Sequence, residues 1–495
     1  MNKILFLIKK IIPEKLFKKI QPSYHLGMNW LAAAWYRFPS DELAVVGITG
    51  TTGKTTTVFM TAELLKSARL KVGYTSTAMF SDGEKEWLND KKMTMLGRFF
   101  TQKMLRKMVK NKCDVAIVET TSEGIVQNRH RFINYDIVEF TGLYPEHIDS
   151  HGSFENYKEA KLELFRHIER SAKKSIKSIK SKVESRIFDS LRSQSGEIGK
   201  TIIVNVDDEH AGEFLDFEVD KKMAFFKRQD TKNKKQINSK LQSSNSEQRI
   251  LDKNFKTPLI PLRKEGDQQI ERVEYEFVEM NKIGTKFMFD GEEVQLNILG
   301  DFNALNATAA GCIGKALSVN NETIAKGLEN IKGLPGRLER IDEGQNFTVI
   351  VDYAFEPVAV TKLYETVSVL EPGKIIHVLG STGGGRDLSR RSKLGRIAGK
   401  KADYIIITNE DPYDDDPMEI IKDVAEGAKS VGKKDREDLF LIEDRQEGIK
   451  KAISLAREND VVLITGKGSE QAIAGPNGEL IPWDDRRVAR GILKV

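Results

Sequence analysis

The segment Thr49-Gly50-Thr51-Thr52-Gly53-Lys54-Thr55-Thr56 combines the residue types that phosphate chemistry needs. A Gly/Thr-rich turn lines up backbone N–H groups, and the start of the following helix adds its positive end. Lys54 then reaches the β- and γ-phosphates of a nucleotide, and Thr55 can hold Mg2+. The strict P-loop spacing would put glycine where Ile48 stands; here the glycines fall at Gly47, Gly50 and Gly53. A plain strand-to-helix turn is the weaker reading. Further along, Glu119 opens the run Glu119-Thr120-Thr121-Ser122-Glu123-Gly124, a carboxylate suited to holding Mg2+ directly or through water. His147 and His151 follow in Tyr144-Pro145-Glu146-His147-Ile148-Asp149-Ser150-His151. Either histidine taken alone is more often a structural residue.

These groups need strand ends to hold them. The apolar run 43–48 reads as a strand feeding an amphipathic helix that passes through Leu64 and Leu65. Segments 115–118, 137–140 and 202–206 read as buried parallel strands. A later block carries strands at 348–351, 375–379, 404–408, 440–442 and 461–464, with helical patterns between them. Such alternation predicts an α/β protein: a central P-loop-type parallel-sheet ATPase domain, then a Rossmann-like doubly wound C-terminal domain. The expected boundaries are 1–42 for a short helical lead, 43–335 for the central domain and 336–495 for the last. Trp30, Trp35 and Tyr36 are the expected packing anchors of the lead. Two Lys/Ser-rich insertions interrupt the central domain, near 171–195 and 227–269. The first could extend a helix; the second is too polar to fold alone.

Composition narrows the class. Across 495 residues, 39% hydrophobic and 31% charged content fit a soluble globular protein of two or three domains. Two cysteines, Cys113 and Cys312, make no disulfide framework and point to a reducing, cytoplasmic setting. A net charge of +5, lying mostly in Lys-rich stretches, gives no case for nucleic acid. The chain has no run near the ~20 apolar residues of a membrane span. Residues 3–20 do alternate Ile, Leu and Phe with lysines, as a helix lying on an anionic membrane surface does. Packing on the following domain is the commoner fate of such a segment.

Taken in order, TGTTGKTT, ETTSEG, PEHIDSHGSFENYKEAK, GDFNALNATAA, LPGRLE, VDYA, GGGRD, EDP and GKGSE resemble the Mur ligase family from residue 43 onward, closest to its MurE branch. The resemblance implies an ATP-dependent amide ligase of peptidoglycan precursor synthesis. Such an enzyme adds a diamino acid, L-lysine or meso-diaminopimelate, to UDP-MurNAc-L-Ala-D-Glu through an acyl phosphate. Gly50, Thr51, Thr52, Gly53, Lys54, Thr55 and Thr56 would hold the ATP phosphates, and Thr55, Glu119 and His147 the Mg2+. Lys161 matches the lysine that the family carbamylates, and Lys54, Lys161, Glu119 and His147 would form the catalytic set. Asn303, Asn306, Arg337 and Asp352 match nucleotide-facing positions. Thr94, Thr121, Gln127 and Arg129 fall where the sugar-peptide substrate is held. Arg386, Glu410, Asp411, Pro412, Tyr413, Gly466 and Glu470 fall where the amino acid is held. The expected partners are those small molecules, and the expected state is a monomer.

Three departures from the family pattern matter. About forty residues precede the phosphate loop here, where the branch usually carries about a hundred that grip the uridine nucleotide, so other surfaces would have to bind it. The family's Asp-Tyr-Ala-His-Thr-Pro-Asp run reads Asp352-Tyr353-Ala354-Phe355-Glu356-Pro357-Val358. The Asp-Asn-Pro-Arg of diaminopimelate enzymes reads Glu410-Asp411-Pro412-Tyr413, and a tyrosine cannot make an arginine's bidentate pair with a carboxylate. An amide ligase acting on a lipid-linked murein or a poly-amino acid is the alternative function, and a catalytically dead binding protein is another. A GTPase switch would need an Asn-Lys-x-Asp run, which neither Asn205-Val206-Asp207-Asp208 nor Asn409-Glu410-Asp411 provides.

Overall fold

A computed structural model describes residues 14–144, 151–175, 197–228, 270–385 and 388–494, with side chains from residue 23 onward. The chain opens with helix α1 (Glu14–Trp35), then strand β1 (Ala44–Thr49) and helix α2 (Lys54–Ser67). Strands β2 (Val72–Thr75), β3 (Met79–Ser81) and β4 (Glu86–Leu88) precede helix α3 (Arg98–Lys110). Next come β5 (Val115–Glu119), α4 (Ser122–Val126), β6 (Ile137–Phe140), α5 (Phe154–Arg170) and β7 (Thr201–Asn205). Short helix α6 (Ala211–Leu215) leads to β8 (Lys221–Lys227), β9 (Ile270–Met280), β10 (Thr285–Phe289) and β11 (Glu292–Leu296). Helices α7 (Asp301–Ala316) and α8 (Asn321–Glu329) close this first unit.

Among the described residues these strands form one eleven-stranded sheet, ordered β11-β10-β9-β8-β7-β6-β1-β5-β2-β3-β4. Its middle is parallel, with Val46 opposite both Ile117 and Ile137. Every residue of β1 is buried, which is why its sequence is a continuous apolar run rather than an alternation. Successive residues feed two cores. Val46 and Ile48 pack with Leu64 and Leu65 of α2 and Ala310 and Cys312 of α7. Val45 packs on the opposite face with Met104 and Met108 of α3 and Phe165 of α5. Helices therefore cover both faces, and the parallel strands deliver their carboxyl ends to one edge.

The second unit has β12 (Glu339–Ile341), β13 (Thr348–Val351), α9 (Pro357–Ser368), β14 (Ile375–Leu379), α10 (Ser389–Lys401) and β15 (Tyr404–Ile407). It continues through α11 (Pro417–Lys429), β16 (Leu439–Leu441), α12 (Arg445–Leu455), β17 (Val461–Ile464) and α13 (Asp485–Leu493). Its six-stranded sheet runs β12-β13-β17-β14-β15-β16, parallel except at β12. The α/β class and the doubly wound second sheet are as the sequence predicts, with strand ends moved by a residue or two.

Two expectations fail. Trp30 and Trp35 do not anchor the lead: they are 53% and 73% exposed, while the smaller Asn29, Ala32 and Ala33 pack inward. The Lys/Ser-rich stretch after Arg170 does not extend α5. That helix ends there, and 174–175 instead pair antiparallel with 197–198. Residues 176–196 and 229–269, and most of the lysine-rich segment 3–20, lie outside the described residues. Cys113 and Cys312 are free and buried.

Candidate active site

The phosphate loop leaves β1 and turns into α2 at Gly53. Gly53 has φ 80°, and a Cβ there would meet Asn306 Oδ1 at 2.3 Å. Only glycine satisfies both demands, so the loop and the start of α7 close on one another at this residue. Lys54 Nζ donates to the carbonyls of Gly50 (3.0 Å) and Thr51 (2.7 Å). Thr55 Oγ1 donates to the Glu119 carboxylate, 3.0 Å from each oxygen. A hydroxyl and a carboxylate at that separation form the hard oxygen set that Mg2+ prefers, with nucleotide phosphate oxygens and water as further ligands. Thr77 steadies the carboxylate, donating to it from its N–H (2.8 Å) and its hydroxyl (3.0 Å). Thr94 shares a 2.8 Å hydroxyl contact with Thr77.

Lys161 is not a surface lysine. It lies on the inner face of α5, 1% exposed, with Nζ 2.7 Å from the Gly50 carbonyl and 4.5 Å from the Tyr157 ring centre. Tyr157 in turn donates to Thr51 Oγ1 at 3.1 Å. Helix α5 thus delivers its lysine to the underside of the phosphate loop. His147 lies outside the described residues; His151, beyond it, is 3.1 Å from Ser122 Oγ, and burial lowers its pKa.

These groups face a cavity of about 440 Å3 lined from both units. Thr51 to Thr56, Thr94, Glu119 and Thr121 line it from the first sheet, with Asn303 and Asn306 of α7; Arg337 and Asp352 line it from the second unit. Asp352 follows β13, accepts from the N–H groups of Leu338 and Ala354, each at 2.7 Å, and is pushed up in pKa by burial. Arg337 lies 4.1 Å over the Tyr353 ring. Gln127 and Arg129 are paired at 2.6 Å on the loop after α4, outside the cavity lining.

The predicted amine-binding residues gather at the carboxyl ends of β15 and β17. Lys467, fully buried, bridges Asp411 (2.9 Å) and Glu470 (2.5 Å). Lys92 of the first unit joins the same pair, at 2.5 Å from Asp411 and 3.3 Å from Glu470. Burial works against the Asp411 charge, yet Lys467 and Lys92 hold its pKa below the usual carboxylate range. Gly466, at φ 100°, leaves room for Glu410; a Cβ there would lie 2.3 Å from its Oε2. Burial raises the Glu410 pKa to about 7. Tyr413 follows Pro412 in the left-handed region (φ 53°), its N–H donating to the Ala474 carbonyl at 3.0 Å. Arg386 lies outside the described residues.

Comparison with known proteins follows this division. Residues 48–196 and 193–314 match the Mur ligase middle domain, and residues 336–468 match the Mur ligase glutamate ligase domain. The chain is 32% identical to the UDP-N-acetylmuramyl-tripeptide synthetase of Roseiflexus sp., over 95% of this chain and 82% of that protein. The chain belongs to the Mur ligase family. The UDP-N-acetylmuramoyl-L-alanyl-D-glutamate--2,6-diaminopimelate ligase of Halalkalibacterium halodurans is 28% identical, over 94% and 82%. A solved Mycobacterium tuberculosis folylpolyglutamate synthase complexed with ADP and AMPPCP superposes at a TM-score of 0.57 and 15% identity, covering 90% and 93%, a likeness of fold alone.

The structure of this Mur ligase also brings in residues that sequence reasoning passed over. Thr77 carried one usable signal, a hydroxyl just past the end of β2. Lys467 stood inside the quoted GKGSE run but was given no role. Lys92 carried no signal at all, because its partners lie more than 300 positions away. The altered run after Asp352 also has a structural counterpart: Glu356 pairs with Arg390 at 2.5 Å, and Phe355 lies under that guanidinium.

Proposed function

We propose that this Mur ligase adds a diamino acid to UDP-MurNAc-L-Ala-D-Glu with ATP as energy source. The observation that carries the reading is a convergence on one cavity. Lys54, Thr55 and Glu119 meet there with the buried Lys161 below them, and Arg337 and Asp352 face them from the other unit. ATP with Mg2+ supplies an electrophilic γ-phosphoryl group. The substrate carboxylate takes that group, and the amine then displaces phosphate from the resulting acyl phosphate.

The chain's own task is positioning and charge neutralisation. Lys54 leaves its carbonyl partners for the phosphates. Thr55 and Glu119 would hold the metal, Thr77 fixes the Glu119 carboxylate, and Asn303, Asn306, Arg337 and Asp352 would bracket the nucleotide. Thr94 and Thr121 would hold the acceptor from the cavity wall, and Gln127 and Arg129 from the loop beyond it. Lys161 would act as a carbamate formed by addition of carbon dioxide to its amine with loss of a proton, an anion that would help position a second Mg2+. The second unit, beginning near residue 336, closes over the first and keeps water from the acyl phosphate.

The setting we infer is a cytoplasmic monomer; among the described residues no helix is long and apolar enough to cross a membrane. A weak contact of residues 3–20 with an anionic membrane surface is the second reading of the lead, beside packing on the following domain. Sedimentation with anionic vesicles, reversed by high salt, tests that contact. Phosphate release with UDP-MurNAc-L-Ala-D-Glu across a panel of amines tests the main reading. Turnover that needs neither acceptor nor amine would overturn it.

A further inference from the structure

Lys92 stands on the loop between β4 and α3, two residues before Thr94, with its backbone in the left-handed region (φ 47°). Its side chain leaves the first unit and ends, 11% exposed, between Asp411 and Glu470 of the second. The second unit does not need it to hold that pair together, since Lys467 already bridges both carboxylates and the Tyr353 hydroxyl donates to Glu470 at 3.3 Å. Desolvating one more charge is also weak support for stability. What remains is a chemical likeness: a primary ammonium on a four-carbon stem, seated between two carboxylates, as the side chain of a free lysine would be.

We propose that Lys92 is a tethered occupant of the ammonium subsite for the incoming amino acid, and that the amino acid's side-chain cation displaces it. The proposal rests on the reading that the Asp411–Glu470 pocket receives the amine. With Lys92 seated, two cations balance two carboxylates. A ligand bearing a second ammonium restores that balance when Lys92 leaves, whereas an uncharged side chain leaves two carboxylates facing Lys467 alone. The device therefore selects diamino acids without a cation at position 413. Because Lys92 is tethered, it competes at an effective concentration of about millimolar, which weakens the binding of any free amine.

The test is calorimetric titration of the full chain with 1,5-diaminopentane, L-lysine and L-norleucine, in the parent protein and in Lys92→Met. Removal of Lys92 is expected to tighten diaminopentane and L-lysine about tenfold and leave norleucine unchanged, because the tethered competitor is gone. The Michaelis constant for L-lysine should fall by a similar factor, with little change in kcat. Lys92→Gln should behave like Lys92→Met, and adding Asp411→Asn should cancel the gain. Unchanged or weaker diamine binding in Lys92→Met would overturn the proposal and leave Lys92 a simple brace between the units. Tighter diamine binding with no ligation of any amine would uphold the subsite and count against the ligase reading instead.

Discussion

The phosphate cradle takes Gly50, Gly53, Lys54 and Thr55 from eight consecutive residues, while the amine pocket draws Lys92, Tyr353, Asp411 and Lys467–Glu470 from four separate stretches. The cradle is open, facing a 440 Å3 cavity with Lys54 resting on backbone carbonyls. The pocket is shut by ion pairs that cross between the two units. The difference follows from what each half must hold. Phosphate is recognised by backbone N–H groups and a helix end, which one short motif supplies. An amino acid would be recognised by placed charges, which arrive from separated stretches of the chain.

The sharpest way to break the cradle half is Lys54→Ala. Removing a charge aimed at the transferring phosphoryl group should lower kcat by on the order of 10²–10³ or more. The fold should survive, because Lys54 lines the cavity and lies outside the hydrophobic cores. Near-parental ligation, measured as phosphate release, would remove Lys54 from the chemistry.

Lys161→Ala comes next, with an expected loss of about a hundredfold, the usual scale for a positioned charge. Short carboxylic acids should restore part of it by replacing the carbamate anion. A variant with reduced activity that no acid restores would leave Lys161 as a hydrogen-bonding support of the Gly50 carbonyl. Unchanged kinetics would deny it any role.

The same contrast decided what could be read from the chain. The cradle, the strand ends around it and the doubly wound second sheet were legible because local pattern dictates them: β1 is apolar throughout since both its faces are covered. Lys161 was legible only by resemblance, because helical spacing cannot say which face of α5 turns inward. Lys92 was illegible, since its meaning comes from residues of the second unit that are distant in the sequence. Trp30 and Trp35 were misread because large aromatic side chains are usually packing anchors, and here α1 turns its small residues inward instead.

Charge compensation separates the halves in stability as well. In the pocket, the buried Asp411 has cations on it. Beneath the cradle, Glu139 on β6 is fully buried beside Ile48 of β1, with no hydrogen-bond partner for either oxygen, and burial raises its pKa to about 8. The folded chain therefore keeps a proton that the unfolded chain releases above its ordinary pKa. Stability from this group is greatest below that value and declines as pH rises to about 8, beyond which the loss is complete. Comparing urea unfolding at about pH 5 and pH 8, Glu139→Gln should remove a decline on the order of 1–3 kcal/mol. An equal decline in the variant would show that another group titrates.

The smallest expected effect concerns the choice of amine. Meso-diaminopimelate brings a second carboxylate, and Tyr413 offers it no cation. Two arginines of α10 are already engaged: Arg390 is held by Glu356 (2.5 Å) and Thr382 (2.7 Å), and Arg391 by Asp423 (2.8 Å) and Asp415 (3.4 Å). A carboxylate buried without a partner is strongly disfavoured, so kcat/KM should favour L-lysine over meso-diaminopimelate. Tyr413→Arg should then shift the ratio towards diaminopimelate by about tenfold, the worth of roughly one charge-assisted hydrogen bond. The substitution asks little of the backbone, because position 413 already carries a non-glycine residue in the left-handed region. If the parent enzyme prefers diaminopimelate and Tyr413→Arg changes little, another cation, Arg386 or one from outside the second unit, must meet the second carboxylate. Lys92 would be the first residue to test, and the pocket would then depend on the cradle's own unit for its specificity.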